Sequence, residues 1–287
     1  MTAYTTLIGP DDLAEHIDHC LVVDCRHDLF KHGKGAADYA QAHIPGARFL
    51  SMDEDLSGPK GDGSAGRHPL PDPATLRARL ASIGLSDDRQ LVVYDADNGS
   101  FAARLWWMAR WLGHGSVAVL DGGLRAWQAA GYPVTAELPQ LASAPGRLSQ
   151  RPAIESPVSV GDLMADQSRR QRLVLDARAP ERYRGDVEPL DPVGGHIPGS
   201  HNRPFQLNLR PDGRFKPAQV LQAEFEAALG GRDAASVVHS CGSGVSACHN
   251  ALAMAHAGLR GAQHFPGSWS QWCADASRPV ARGAEPG

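Results

Sequence analysis

One cysteine stands where a thiolate can do chemistry. In Ser236-Val237-Val238-His239-Ser240-Cys241-Gly242-Ser243-Gly244-Val245-Ser246-Ala247, Val237 and Val238 read as the end of a buried strand, and the run from Ala247 to Ala257 is rich in helix formers. The thiol in the turn between them therefore sits at a helix N-terminus. There the first backbone N–H groups lack intrahelical partners and, with the helix dipole, form an anion site. A cysteine so placed can titrate well below its free value of ~8.5. Gly242 and Gly244 let the backbone fold around the sulfur, since glycine enters positive φ without steric cost, and the loop as a whole reads as a cradle for a charged sulfur. The same strand, turn and helix also occur without catalysis, and a lone cysteine is commonly a small buried hydrophobe. The remainder of the chain has to decide.

The elements that position this turn occur twice. Leu21-Val22-Val23-Asp24-Cys25-Arg26 returns as Leu173-Val174-Leu175-Asp176-Ala177-Arg178, and His43-Ile44-Pro45-Gly46 returns as His196-Ile197-Pro198-Gly199. Leu91 to Asp95 matches Ser236 to Ser240, and the Asp121-Gly122-Gly123 stretch with Trp127 matches the Phe265-Pro266-Gly267 stretch with Trp272. Segments repeated in one order at nearly constant spacing predict two copies of one fold. Each copy alternates short apolar strands with helical segments, so each is expected to be an α/β domain with a mostly parallel sheet flanked by helices. In such sheets the crevice lies at the carboxyl ends of the strands, where both Asp176-Ala177-Arg178 and the Cys241 loop fall. The expected boundaries are 1–136 for a first, inactive domain, 137–153 for a linker rich in Pro, Ala and Ser, and 154–287 for the catalytic domain. An offset of 145 residues sets Ala96 opposite Cys241, so the first copy keeps the turn without a sulfur and is expected to cover one side of the second copy's crevice.

Composition narrows the function. Lys and Arg number 28 against 32 Asp and Glu, a net charge of −4 without charged blocks, so neither nucleic acid nor an anionic membrane is expected as a partner. No apolar run reaches the ~18 residues of a membrane span, and Met1-Thr2-Ala3-Tyr4 does not begin a secretory signal. Five cysteines without a C-x-x-C pair argue against a disulfide framework and against structural zinc. A reducing, cytoplasmic setting is expected. Thirteen histidines show no H-x-x-x-H pair with a third ligand in recognisable spacing, so no metal and no organic cofactor is expected. Cys20, Cys25 and Cys273 lack a following glycine turn and Cys248 lies inside the helix; Trp106, Trp107 and Trp111 read as packing residues.

With the paired His-Ile-Pro-Gly motifs and Cys241-Gly242-Ser243-Gly244-Val245-Ser246 in view, the chain resembles the tandem-domain rhodanese-family sulfurtransferases over nearly its full length. The resemblance implies an inactive first domain and a second domain whose cysteine carries a sulfane sulfur as a persulfide, taken from a small donor and passed to a thiol or cyanide. A thioredoxin-like reductant is a further candidate acceptor, and a monomer is expected. Members specific for thiosulfate carry basic residues directly after the cysteine, where this chain has Gly242 and Ser243. The loop is instead similar to the mercaptopyruvate branch, whose pattern ends in Thr where Ser246 stands. That branch links the loop serine to an Asp and a His as a proton relay, and the matching positions are Ser243, Asp55 and His68. Its substrate arginine matches Arg182 in Asp176-Ala177-Arg178-Ala179-Pro180-Glu181-Arg182. A planar guanidinium suits a donor's carboxylate. The branch's second substrate arginine has no counterpart within 186–193, and Arg203 is the candidate replacement. Arg178 is expected to be structural.

The expected function is therefore sulfur transfer from 3-mercaptopyruvate, with thiosulfate as the alternative donor and a persulfide carrier for a protein acceptor as the non-enzymatic alternative. A cysteine phosphatase is excluded, because it needs an arginine six residues after the cysteine to grip phosphate and position 247 is alanine.

Overall fold

The computed structural model describes residues 3–140 and 144–287. Positions 141–143 of the expected linker lie outside the described residues. Two compact units are present: Met1–Gly58, Pro71–Ile154 and Arg210–Phe215 form the first, and Pro59–Leu70, Glu155–Leu209 and Lys216–Gly287 form the second. The chain passes from the first unit to the second between Ile154 and Glu155, and each unit also holds a short segment from the other's stretch of chain.

In the first unit the chain runs β1 (Leu7–Ile8), α1 (Pro10–His16), β2 (Cys20–Asp24), α2 (Lys34–Gln41), β3 (Arg48–Phe49), α3 (Pro73–Ser82), β4 (Gln90–Tyr94), α4 (Ala102–Trp111), β5 (Val117–Leu120) and α5 (Gly123–Ala129). The sheet is wholly parallel in the order β1-β5-β4-β2-β3. Every residue of β2, β4 and β5 is buried, which is why these strands read as unbroken apolar runs and not as alternating ones. Val22, Val92, Ala118 and Trp127 belong to one core.

The second unit repeats the plan with α6 (Val160–Asp166), β6 (Leu173–Asp176), α7 (Pro180–Arg184), β7 (His201–Asn202), α8 (Ala218–Leu229), β8 (Val237–Ser240), α9 (Ala247–His256), β9 (Gln263–His264) and α10 (Ser268–Trp272). Its parallel sheet has the order β7-β6-β8-β9. The counterpart of β1 is reduced to a single parallel bridge from Pro157 to His264. Proline has no N–H to extend a ladder, so the edge stops there. Val174, Val238, Phe265, Trp269 and Trp272 form the core. The expected helix after the cysteine turn spans Ala247–His256.

The repeated motifs have the same physical task in both units. His43 stacks on Tyr39 at 4.0 Å and its Nδ1 lies 2.7 Å from the Tyr39 carbonyl. His196 stacks on Tyr183 at 3.8 Å with Nδ1 2.9 Å from the Tyr183 carbonyl. These histidines pin the end of a helix to the following turn. Likewise Arg26 forks onto Asp24 and reaches the Ala42 carbonyl, while Arg178 forks onto Asp176 and reaches the Gly195 carbonyl. Because the first unit has the same arrangement and no cysteine in its turn, Arg178 serves the fold.

Candidate active site

Cys241 follows directly on β8 and is 1% exposed. The turn that holds it is fastened to the start of α10. The Cys241 N–H donates to Ser268 Oγ (3.0 Å), Ser268 Oγ donates to the Phe265 carbonyl (2.9 Å), the Trp269 N–H donates to the Cys241 carbonyl (3.0 Å), and the Ser270 N–H donates to the Gly242 carbonyl (2.8 Å). The Gly244 N–H points back at the sulfur, 3.1 Å away. Gly244 has φ +75°, and a Cβ there would sit 2.1 Å from the Pro266 carbonyl oxygen, so only glycine closes this turn. Val245 and Ser246 lead into α9, with Ser246 as its N-cap residue. Gly242 to Ser246 thus form the turn between β8 and α9, with the Gly244 N–H facing the sulfur.

The first unit corrects one expectation. In β4, Tyr94 pairs with Asp24, and in β8, Ser240 pairs with Asp176. The Leu124 N–H donates to the Asp95 carbonyl just as the Trp269 N–H donates to that of Cys241. Asp95, and not Ala96, therefore occupies the place of Cys241. The constant offset failed because the first turn has one residue more between this position and the positive-φ glycine, Gly99 at +79° against Gly244 at +75°. The Asp95 carboxylate accepts the N–H groups of Asp97, Gly99, Phe101 and Ala102 at 2.9 to 3.2 Å. Burial pushes its pKa up, and these backbone bonds oppose the rise. A carboxyl group holds the turn where the second unit carries a thiol.

Charged side chains gather beside the Cys241 turn. Arg182, on α7, donates to Glu188 Oε1 through Nη2 at 2.6 Å and lies 3.6 Å from Asp191 Oδ2. Glu188 also accepts the N–H groups of Leu190 and Asp191, and its Oε2 is 3.5 Å from Arg178. Burial works against the charge of Arg178, yet Asp176 and Glu188 outweigh it and raise its pKa, with Cys241 adding to the effect. The stretch 186–193, which lacks an arginine, thus supplies carboxylates. Arg67 donates to Asp191 Oδ1. Measured from the point where a Cβ on Gly242 would lie, Arg67 Nη2 is 3.1 Å away and the Arg182 Nη atoms 3.4 and 3.5 Å. Two guanidinium groups therefore fill the space that a side chain after the cysteine would take.

His68 Nδ1 and Ser243 Oγ lie 2.8 Å apart, both buried, and both belong to the second unit. Asp55 belongs to the first unit, where Oδ2 accepts the Ser51 N–H (2.7 Å) and Oδ1 the Arg79 Nε–H (2.6 Å). Arg203 is 6% exposed; its guanidinium pairs with Glu224 at 3.1 Å and lies 4.4 Å over the Phe225 ring. Its charge is committed to α8. All five cysteines are free thiols. Among the described residues no group of three or more His, Cys, Asp or Glu is arranged to hold a metal ion, and no helix is long and apolar enough to cross a membrane.

Comparison with known proteins decides the family. The profile of the rhodanese-like domain matches twice, over residues 9–130 and 158–275. The chain belongs to the rhodanese family. It is 47% identical to a "Probable 3-mercaptopyruvate sulfurtransferase" of Pseudomonas aeruginosa, over 92% of each chain. To a "Putative thiosulfate sulfurtransferase SseB" of Mycobacterium tuberculosis it is 42% identical, covering 87% of this chain and 86% of the relative. The crystal structure of SseA from Escherichia coli, a 3-mercaptopyruvate sulfotransferase by its description, superposes with a TM-score of 0.79 at 31% identity, covering 93% and 99% of the two chains. The chain is a sulfurtransferase with two rhodanese domains.

Two features of this rhodanese site were not read from the sequence. Ser268 has φ +49°, where the first unit has Gly123 at +59°. The aligned glycine was the available signal, since a serine in a glycine's conformation implies a use for its hydroxyl. Arg67 directly precedes His68 and belongs to no repeated motif. It lies in a stretch without periodicity, and nothing in residue spacing connects it to Asp191, 124 positions away.

Proposed function

We propose that this rhodanese takes sulfur from 3-mercaptopyruvate through a persulfide on Cys241. The Cys241 thiolate attacks the donor sulfur; the C–S bond breaks, its electron pair passes to the pyruvate enolate, and a proton reaches the methylene carbon to give pyruvate. Charge and atoms balance when the proton of the donor thiol is the one returned, leaving the persulfide anion on Cys241. Gly242 to Ser246 cradle that anion, and Arg182 holds the donor's carboxylate. Ser243 and His68 carry the proton, with Asp55 proposed as the carboxylate member of the relay.

The observation that carries this reading is the 2.8 Å pair of His68 and Ser243 beside the nucleophile. An enolate leaving group needs a proton, whereas thiosulfate releases sulfite as an anion and needs none. Thiosulfate remains the second reading, favoured by the two guanidinium groups over Gly242, which suit a dianion. We place the protein in the cytoplasm as a monomer, in keeping with its five free cysteines. The persulfide is discharged to a small thiol, to cyanide or to a thioredoxin-like reductant.

The test compares kcat/KM for 3-mercaptopyruvate and thiosulfate under one set of conditions, with cyanide and then a small thiol as acceptor. At least about tenfold preference for mercaptopyruvate is expected, the scale of one charged or proton-transfer contact. A preference for thiosulfate overturns the donor assignment. Turnover surviving in Cys241→Ser overturns the mechanism.

A further inference from the structure

We propose that residues 281–283 are a positioning strap for the donor site: they clamp the neck of the 185–195 loop, and through Glu188 and Asp191 they set where the Arg182 guanidinium stands. The proposal rests on Arg182 as the residue that holds the donor's anion.

The two units differ in one loop. Each stacks a histidine on a tyrosine, but Tyr39 and His43 are 4 positions apart whereas Tyr183 and His196 are 13 apart. The additional residues carry Glu188 and Asp191, whose side chains are 5% and 3% exposed and meet Arg182. This loop leaves and rejoins the domain through a narrow neck. A Cβ on Gly185 would sit 2.9 Å from the Gly195 nitrogen, and one on Gly194 would sit 3.1 Å from the Gly185 carbonyl oxygen.

The strap holds both sides of that neck. On one side the Gly283 N–H donates to the Arg184 carbonyl at 3.0 Å. On the other, Arg282 Nε donates to the Gly194 carbonyl at 3.2 Å, and Ala281 and His196 exchange backbone hydrogen bonds at 2.9 and 3.0 Å. Gly195 lies where the two segments come closest, since a Cβ there would be 2.4 Å from the Ala281 carbonyl oxygen. The base of the strap is itself anchored, with Trp272 Nε1 donating to the Pro279 carbonyl at 2.8 Å.

The first unit has the same base and lacks the loop. Trp127 Nε1 donates to the Pro133 carbonyl at 2.8 Å, and Thr135 and His43 exchange backbone bonds at 2.9 Å. Beyond that bridge, the carbonyls of Glu137 and Pro139 face His43 and Arg48. In the second unit the bonds of Arg282 and Gly283 go instead to the two stems of the longer loop. A guanidinium paired with carboxylates stands where the carboxylates stand. Opening the neck therefore moves Arg182, while the Cys241 turn keeps its own bonds to Ser268, Trp269 and Ser270.

The test uses the full chain and reads hydrogen–deuterium exchange by mass together with steady-state kinetics. Ala281→Pro removes one backbone N–H from the strap in an extended stretch, and Arg282→Ala removes one side-chain bond and no backbone bond. In Ala281→Pro the amides of 185–196 should exchange about fivefold faster or more, the scale of one lost hydrogen bond, while those of β8 are unchanged. Because Arg182 binds the donor before and during reaction, KM should rise by about fivefold with kcat within about twofold of the wild type. Arg282→Ala should shift both quantities in the same direction, and Arg282→Lys should recover part of the loss. If Ala281→Pro also loosens β8, Arg282→Ala decides. Unchanged exchange across 185–196 overturns the proposal, as does faster exchange with an unchanged KM, or a fall in kcat at constant KM. Exchange requires no donor, so a wild type that turns over thiosulfate and not 3-mercaptopyruvate removes the donor assignment alone; the strap is then judged by exchange and by the KM for thiosulfate.

Discussion

Ser268 Oγ accepts the backbone N–H of Cys241 at 3.0 Å from a residue whose own φ is +49°. A non-glycine residue in that region costs on the order of 1 kcal/mol, and what it gains is a satisfied donor on the residue that carries the nucleophile. Ser268→Ala keeps the strain and leaves a buried N–H without its acceptor, a loss of about 1–3 kcal/mol. Ser268→Gly also loses the acceptor but releases the strain. Chemical denaturation should therefore rank wild type above Gly and Gly above Ala, with about 1 kcal/mol between the two variants. Equal stability of Gly and Ala would mean that the conformation is unstrained.

The His68–Ser243 pair makes a prediction about donors. His68→Asn should lower kcat/KM with 3-mercaptopyruvate by about a hundredfold, within the usual range for a positioned proton-transfer group. With thiosulfate the change should stay below about threefold, since no proton is needed. Ser243→Ala should behave alike, and the double variant should be no worse than either single one, because the two act as a unit. Equal losses with both donors would assign the pair to holding the turn.

Gly244 and Gly258 separate backbone conformation from collision. Both have positive φ, +75° and +82°, but a Cβ at Gly244 would meet the Pro266 oxygen at 2.1 Å, whereas at Gly258 none of the described residues lies within 4 Å. Gly258→Ala should cost about 1 kcal/mol and spare turnover. Gly244→Ala should cost about 3 kcal/mol or more and abolish persulfide formation, measured by mass on the intact chain. Similar behaviour of the two would show that the turn can yield.

Acid should destabilise the protein through His239. This residue of β8 is fully buried, with no hydrogen-bond partner for either ring nitrogen among the described residues, and burial pushes its pKa down to about 3. Between about pH 6.5 and pH 3 the unfolded chain binds a proton that the folded chain refuses, so stability falls as pH drops through that window and is unaffected by this group above it. The slope approaches ~1.4 kcal/mol per pH unit for one proton. His239→Leu should flatten this part of the pH profile in equilibrium unfolding. An unaltered profile would assign the acid sensitivity elsewhere.

What the sequence made legible depended on locality. The Cys241 turn declares itself because strand, glycines and helix are contiguous, and the parallel sheets are declared by unbroken apolar runs such as Leu91 to Val93. Arg182 was found by a contiguous motif, Asp176 to Arg182, that runs from β6 into α7. Glu188 and Asp191 were passed over because an acidic loop looks solvated until burial shows otherwise; they are 5% and 3% exposed in their side chains. Arg203 looked available because its partner Glu224 lies 21 residues on, in another element. The Ala96 assignment failed because a single inserted residue shifts a register that spacing treats as constant.

Asp95 bears on how the enzyme should respond to being charged with sulfur. Its carboxyl group holds the first domain's turn, with four backbone N–H groups drawn onto one side chain. In the second domain the resting sulfur meets the Gly244 N–H and the Ser268 hydroxyl. The outer sulfur of a persulfide would add an acceptor that reaches backbone N–H groups only in the folded state. The persulfide form should therefore melt at a higher temperature than the free thiol, with the increment confined to the second domain. Heat resistance would then report the fraction of enzyme carrying sulfur.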